Sequence, residues 1–377
     1  MRHYFLGAGA NIKHTLKYVF ARGKEADAKA LTDYLGQRYG GETILTKNGR
    51  SALCLILKTY FEPGDRVIIN GFTCYAVVEA CKGANVVPIY ADISAENLNF
   101  TVETLENAWN RFSTQDKPKG IIIQNTLGNP VDIVEIEKFA NEHNLFIIED
   151  LAHSAGVRYP DGREAGTVGI ATALSFGKEK SVDTILGGAA ILRELNFKFS
   201  GRRTILPALK AKTSDNLRAR FYPLIGKIYR GLSYVRLNGA FMRMMLALHW
   251  VERSADNRLD LTRKIANFEA KLALGQLLKL ENAKPLRKFY LLSNRDMILA
   301  DLRRAGYYFD GFWYERPVSP DRYYASVKFP ESECPTAVAV SQRILNLPTY
   351  YTDNELAQAE RIIREKGAVW NPEGKNE

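Results

Sequence analysis

An acid and an amine follow two apolar segments in the middle of the chain. The apolar run Leu145 to Ile148 is followed at once by Glu149 and Asp150, and a later short strand ends at Ser175 with Lys180 close behind. If the two strands are neighbours in a parallel sheet, their carboxyl ends bring both groups to one edge. An amine can form an imine with an aldehyde, and a carboxylate can keep a pyridine nitrogen protonated. This arrangement is the one that pyridoxal phosphate (PLP) chemistry needs.

The elements that must position these groups alternate between strand and helix patterns through the first two hundred residues, which is typical of a mainly parallel α/β sheet. The predicted strands are Thr43 to Leu45, Val67 to Ile69, Val86 to Tyr90, Ile121 to Gln124, Leu145 to Glu149, Ala171 to Ser175 and Ala189 to Leu192. The predicted helices are Ala26 to Tyr39, Ser51 to Phe61, Tyr75 to Gly83, Val102 to Phe112 and Ile133 to His143. We therefore expect seven strands in one sheet.

The remainder of the chain has a different pattern. From about residue 195 to residue 304 it is almost wholly helical, and one or two strands are expected in residues 307 to 318. A final helix is predicted from Asp353 to Lys366. We expect three parts: a large cofactor-binding α/β domain over residues 1–195, a basic helical insert over 196–260, and a helical connection with a small C-terminal α+β domain over 261–377.

The turn after the first strand is a candidate phosphate site. Asn48, Gly49, Arg50 and Ser51 open a helix there, and a helix N-terminus presents free backbone N–H groups together with a positive dipole end. Ser51 adds a hydroxyl and Arg50 adds a charge. Glycine and serine are also common helix caps, so the pattern alone leaves a purely structural role open.

Composition places the chain among ordinary globular proteins, with 377 residues, 46% hydrophobic and 25% charged. Its four cysteines lack metal-site spacing and favour a reducing, cytoplasmic setting. The N-terminus lacks an apolar core of signal-peptide length, and no apolar run approaches the roughly 20 residues that span a bilayer. We therefore expect a soluble protein without a metal site.

The net charge of +10 is concentrated in residues 193 to 243, which carry 12 Lys or Arg against Glu194 and Asp215. This excess could attract phosphate groups or an anionic membrane surface, and the simpler interpretation is a solvated helical face. Apolar residues recur there at helical spacing, which predicts an amphipathic helix packed on its own protein; membrane-surface contact is the less favoured alternative.

Other chemistries find little support in the sequence. It contains no pair of ligands at zinc-site spacing, no nucleophile elbow of serine hydrolases and no phosphate-binding loop of P-loop NTPases. His153 and Ser154 are adjacent, and adjacent residues tend to face apart. The basic segment has no recognisable nucleic-acid module around it.

Together, these motifs resemble the DegT/DnrJ/EryC1/StrS family of PLP-dependent sugar aminotransferases, which have fold type I. The resembling segments are Asn48 to Leu53, Gly83 to Ile93 (GANVVPIYADI), Gly128 to Asp132, Glu149 to Gly156, Gly166 to Gly169, Ser175 to Lys180, Gly187-Gly188, Cys334 to Ala337 and Ile344 to Pro348. Each segment alone is a weak match to the family, whereas the order and spacing of all of them together are specific for it.

The resemblance implies a role for each matching position. The imine lysine of the family lies five residues after the serine of the Ser-Phe pair, which selects Lys180 rather than Lys178. Lys180 would hold PLP and transfer protons, and Asp150 would pair with the pyridinium nitrogen. His153 would lie over the ring face or near the phenolic oxygen. Ser175 would bind the phosphate together with Gly49, Arg50 and Ser51.

Two departures from the family pattern stand out. Where the family places an aromatic residue that stacks on the cofactor ring, this chain has Cys74. Either Phe72 or Tyr75 substitutes for it, or the ring is stacked differently; we include Tyr75 among the cofactor-binding residues. The second departure is the basic insert and the segment from residue 260 to 269, where the asparagine and arginine of the family are absent.

The resemblance implies a cytoplasmic homodimer that transaminates a keto-sugar, nucleotide-linked, with an amino-acid donor such as glutamate. One alternative is PLP-dependent dehydration or deoxygenation of a sugar, although dehydrating members typically replace the imine lysine. A second alternative is a catalytically inactive regulatory homologue that uses the basic insert for docking.

Overall fold

The computed structural model describes residues 4–5, 23–177, 179–184, 187–193, 259–308, 313–349 and 352–372. Its strands are β1 Tyr4–Phe5, β2 Glu42–Thr46, β3 Arg66–Asn70, β4 Thr73–Cys74, β5 Val87–Ala91, β6 Gly120–Ile123, β7 Phe146–Asp150, β8 Ala171–Ser175, β9 Gly188–Leu192, β10 Arg287–Leu291, β11 Tyr307–Tyr308, β12 Val318–Ser319 and β13 Ile344–Pro348. Its α-helices are α1 Glu25–Tyr39, α2 Gly49–Tyr60, α3 Tyr75–Ala84, α4 Val102–Trp109, α5 Ile133–Glu142, α6 Leu259–Leu277, α7 Arg295–Arg304, α8 Asp321–Val327, α9 Pro335–Ser341 and α10 Asp353–Lys366.

One seven-stranded sheet dominates the fold, in the order β2-β9-β8-β7-β6-β3-β5. Strand β9 runs antiparallel to both of its neighbours, and the other adjacent pairs are parallel. The carboxyl ends of β2, β3, β6, β7 and β8 therefore meet at one edge, together with the start of β9. Ligands of open α/β sheets bind beyond this edge.

Both faces of the sheet are buried, as a parallel sheet requires. Residues alternate along β3, where Val67 and Ile69 face one core cluster and Ile68 faces the other. Helices α2 and α3 cover the first face, and α1, α4, α5 and α6 cover the second. The sheet therefore holds its strand ends in a fixed arrangement, which gives the site at that edge a rigid base.

The C-terminal part forms a smaller α+β unit with its own apolar cluster. Strands β10 and β13 pair antiparallel, with Arg287 opposite Pro348, and helices α7 and α10 pack beside them around Ile298, Leu302 and Ile363. Strand β12 pairs parallel with β4, which follows β3 of the large sheet. This pairing joins the C-terminal unit to the large domain.

The structure confirms the seven predicted strands and their mainly parallel arrangement. The prediction of an almost wholly helical segment up to residue 304 is wrong at Arg287–Leu291, which is strand β10. Its sequence, RKFYL, follows Pro285 and is completed only by pairing with β13, more than fifty residues later. The predicted basic insert falls largely on residues 194–258, outside the described residues. No helix within the described ranges is long and apolar enough to cross a membrane.

Candidate active site

Asp150 is the last residue of β7, at the edge where the strand ends meet. It is 7% exposed, and its Oδ1 accepts a hydrogen bond from the backbone N–H of Ala152 at 2.9 Å. Burial raises the pKa of the carboxyl, and the Ala152 hydrogen bond and the nearby Lys180 act in the opposite direction. A cationic partner placed against this carboxyl would stabilise its ionised form.

Glu149, the residue before Asp150, faces the opposite side of the sheet and has a different role. Its carboxylate accepts the hydroxyl of Tyr159 at 2.8 Å and the backbone N–H groups of Gly166, Val168 and Gly169 at 2.6 to 2.8 Å. Neighbouring residues of a strand point to opposite faces, so the two carboxylates cannot act together. Glu149 anchors the loop that leads into β8.

Lys180 lies in the loop after β8, and its backbone N–H donates to the carbonyl of Gly177 at 3.3 Å. Its Nζ lies 4.5 Å from the centroid of the Trp313 ring. Desolvation lowers the pKa of the amine most strongly, while Cys74, Asp150 and Glu179 raise it and Arg287 lowers it. A lowered pKa increases the fraction of neutral amine, which is the nucleophilic form.

His153 follows Asp150 by three residues and is 4% exposed. Its Nδ1 accepts the backbone N–H of Leu127 at 3.2 Å, and its ring lies 5.0 Å from that of Trp313. Desolvation lowers the pKa of the imidazole well below its usual value, and the charges of Lys180 and Arg287 lower it further. The ring is therefore neutral, and the contact with Leu127 leaves its proton on Nε2.

Gly49 and Ser175 form a tight contact between the N-terminus of α2 and the end of β8. A Cβ at Gly49 would lie 2.6 Å from Cβ of Ser175, so only glycine fits there. Asn48 caps the helix, because its side chain accepts the N–H of Ser51 at 2.9 Å. The hydroxyl of Ser175 thus lies against the N-terminus of α2, where backbone N–H groups favour an anion.

The other two predicted cofactor-binding residues make contacts of their own in this structure. Arg50 pairs with Glu79 at 2.8 Å, and both side chains are exposed. Tyr75 stacks on Tyr323 with ring centroids 4.3 Å apart, and the Lys82 ammonium lies 5.6 Å from its ring centroid. Phe72, the other aromatic substitute that we considered, packs on Tyr314 at 4.7 Å.

Sequence reasoning missed Trp313 and Tyr314, which the C-terminal unit contributes to this site. Trp313 contacts His153 and Lys180, and Tyr314 is buried against Phe72 with a positive φ of 69°. Within the described ranges the Tyr314 hydroxyl has no hydrogen-bond partner. The aromatic cluster around these residues in the sequence is the one signal that could have pointed to them.

The described residues fit PLP. A glycine and a serine at a helix N-terminus suit its phosphate, the buried carboxylate of Asp150 suits its ring nitrogen, and the amine of Lys180 suits its aldehyde. Across the part of the chain that the structure describes, no group of three or more His, Cys, Asp or Glu residues is arranged to hold a metal ion.

Two GDP-perosamine synthases are among the known proteins that this chain resembles. GDP-perosamine synthase of Caulobacter vibrioides is 26% identical over 348 residues, covering 89% of this chain and 86% of the relative. GDP-perosamine synthase of Escherichia coli O157:H7 is 32% identical over 162 residues, which are 41% of this chain and 43% of the relative. The matched segment therefore spans less than half of the E. coli relative.

The fold is also shared with solved structures. A DegT DnrJ EryC1 StrS aminotransferase from Brucella abortus superimposes with a TM-score of 0.65 at 21% identity, covering 97% of this chain and 99% of that one. The model of the DegT/DnrJ/EryC1/StrS aminotransferase family matches residues 13–217, more than half of the chain. The PLP form of the sugar aminotransferase Spr1654 from Streptococcus pneumoniae has the same fold, with a TM-score of 0.61 at 19% identity, covering 96% of this chain and 97% of that one. These findings confirm the expected fold type I and, at the level of the family, the enzyme class and its PLP cofactor. The chain belongs to the DegT/DnrJ/EryC1/StrS aminotransferase family.

Proposed function

We propose that this protein is a PLP-dependent aminotransferase that acts on a keto-sugar with an amino-acid donor such as glutamate. The observation that carries the proposal is the arrangement of Asp150, His153 and Lys180 beside the Gly49–Ser175 contact, at one edge of the sheet, in a chain of this family. The sugar relatives support the acceptor class, and a nucleotide-linked acceptor is part of the proposal.

Bound PLP would supply an electron-accepting ring for chemistry at the carbon that carries the amino group. Asp150 would hold a proton at the ring nitrogen, because its carboxylate lies at the end of β7 and is oriented by the Ala152 N–H. The neutral ring of His153 would pack over the cofactor without adding charge. These two side chains position the ring and set its electronic state.

Lys180 would hold the cofactor and move the proton at the substrate carbon. Its lowered pKa suits both tasks, since a neutral amine is the form that attacks a carbonyl and accepts a proton. Ser175 and the N-terminus of α2, with Gly49, Arg50 and Ser51, would bind the phosphate. Tyr75 is proposed at the cofactor site through its position at the start of α3.

Retention of Lys180 favours transamination over dehydration, because dehydrating members typically replace this lysine. It equally favours an active enzyme over an inactive regulatory homologue. The expected kinetics are ping-pong: the keto acid formed from the donor would leave before the keto-sugar binds.

The proposal includes a domain division and an assembly. We infer a large domain over residues 1–195, an insert over 196–260 and a connection with a small domain over 261–377. The separate apolar cluster of the C-terminal unit supports a small domain within residues 261–377. We also propose a homodimer in the cytoplasm; the four free cysteines support a reducing location.

Optical spectroscopy tests the function. The purified protein should absorb in the visible range and lose this absorbance with borohydride, and Lys180→Ala should be colourless. Lys178→Ala, which changes the lysine that the spacing did not select, is the matched control and should remain coloured. Glutamate should convert the cofactor to its amine form and bleach the visible band. Protein that takes up no PLP would contradict the proposal, and binding without conversion by any amino acid would contradict transamination.

A further inference from the structure

The residue before Lys180 has an unusual backbone conformation. Glu179 has φ of +64°, in the left-handed region that side chains other than glycine rarely adopt. Its backbone N–H donates to Oδ2 of Asp183 at 3.1 Å, and Asp183 is in turn held by Gln276 of α6. Surrounding contacts must hold such a turn in place. The side chain of Glu179 makes one of these contacts.

That contact is a buried ion pair with Arg287, the first residue of β10. Nη2 of Arg287 lies 2.5 Å from Oε2 of Glu179, and the two side chains are 1% and 9% exposed. Nη1 donates to Oδ1 of Asn346 on β13 at 2.9 Å. A charge buried to this extent requires its partner, so the pair ties the lysine loop to the C-terminal unit.

Arg287 also lies close to the amine of Lys180. Its guanidinium carbon is 4.4 Å from the centroid of the Trp313 ring, and Nζ of Lys180 is 4.5 Å from the same centroid. The two cationic groups are therefore no more than about 9 Å apart. At such separations in a protein interior, a charge measurably shifts the proton affinity of its neighbour.

Several charged or titratable groups act on this amine. Cys74, Asp150 and Glu179 favour its protonated form, and Arg287 together with burial disfavours it. His153 is neutral and contributes no charge. Glu179 and Arg287 act on the pKa of this amine in opposite directions, so each opposes the effect of the other while the pair is intact.

We propose that Glu179 and Arg287 form a positioning pair for Lys180, which holds the turn before the lysine and balances the charge around its amino group. The inference rests on the proposed role of Lys180 as the residue that holds PLP. Neither member of the pair touches the reacting atoms; both act through the lysine.

The test is a pH titration of the visible absorbance of the holoenzyme, which reports the proton on the Lys180 nitrogen. Glu179→Gln should lower the midpoint and Arg287→Gln should raise it, each by on the order of one pH unit. The double variant should return toward the wild-type midpoint, because both charges are gone. Arg287→Lys keeps the charge and should shift the midpoint less than Arg287→Gln.

Arg38→Gln is the matched control. It breaks the partly buried ion pair between Arg38 and Glu164. Neither of these residues is among the groups that act on Lys180, so the midpoint of the absorbance titration should not move. Opposite shifts separate charge balance from general damage, because a purely structural role would move both variants in the same direction. Shifts of the same sign, or no shift in coloured variants, would overturn the inference.

The titration also separates this inference from the proposed function. If the wild-type protein binds PLP through Lys180 and the variants show no opposite shifts, only the positioning pair is refuted. If the wild-type protein binds no PLP at Lys180, the proposed function fails and the inference fails with it.

Discussion

Gly49→Ala should weaken PLP binding while leaving the fold intact. The added Cβ would lie 2.6 Å from Cβ of Ser175 and 3.1 Å from its Oγ. Carbon atoms in ordinary contact are about 3.5 to 4.0 Å apart, so helix α2 or Ser175 must shift by roughly 1 Å. Such overpacking typically costs about 1 to 3 kcal/mol. If the loss falls on the phosphate contact, the dissociation constant for PLP rises roughly 5- to 150-fold.

The assay is a titration of the cofactor-free protein with PLP, followed by visible absorbance and tryptophan fluorescence, with thermal unfolding measured in parallel. Gly275→Ala is the matched control, because it lies on α6 and a Cβ there would have no neighbour within 4 Å. It should leave PLP affinity unchanged and stabilise the helix by about 0.5 to 1 kcal/mol. Wild-type affinity in Gly49→Ala, or an equal loss in Gly275→Ala, would refute the assignment of the phosphate site.

Three further predictions concern the carboxylates and the lysine. Asp150→Asn should retain PLP and lose at least about 100-fold in turnover, because the ring nitrogen loses its anionic partner; unchanged turnover measured with saturating PLP would contradict this role. Glu149→Gln should lower the free energy of unfolding in urea by roughly 2 to 5 kcal/mol, since an amide nitrogen would face N–H donors in a buried site. The rate of PLP capture by the cofactor-free protein should rise with pH as Lys180 loses its proton, and because burial lowers its pKa it should level off below the value of 10.5 for an ordinary lysine. A rate that still climbs at that pH would show that the amine is unperturbed.

Much of the fold was predictable because the large sheet consists of local units. Apolar periodicity and turn residues predict each strand and the helix that follows it, as in the segment from Ile121 to His143. Strand β10 was not predictable in this way. It begins with two basic residues, Arg287 and Lys288, and is fixed by pairing with β13, so its own sequence did not distinguish it from the neighbouring helices.

In the candidate site, too, some residues were predictable from local sequence and others were not. Asp150 and Lys180 follow predicted strands and Ser175 ends one, and the edge of the sheet where these strands end brings the three residues together. Arg287 and Trp313 reach Lys180 from the C-terminal unit, more than a hundred residues away along the chain. No local spacing encodes that approach. The role of Glu149 required the structure too, because its four hydrogen-bond donors lie in a loop beyond β7.

Lys180 is the residue that we propose to hold PLP. Borohydride reduction of the purified protein converts the bond between cofactor and lysine into a stable one, and mass spectrometry of the digested protein then locates the modified residue. We expect the pyridoxyl group on Lys180 and none on Lys178. Modification of a different lysine, or no modification after incubation with PLP, would contradict the account.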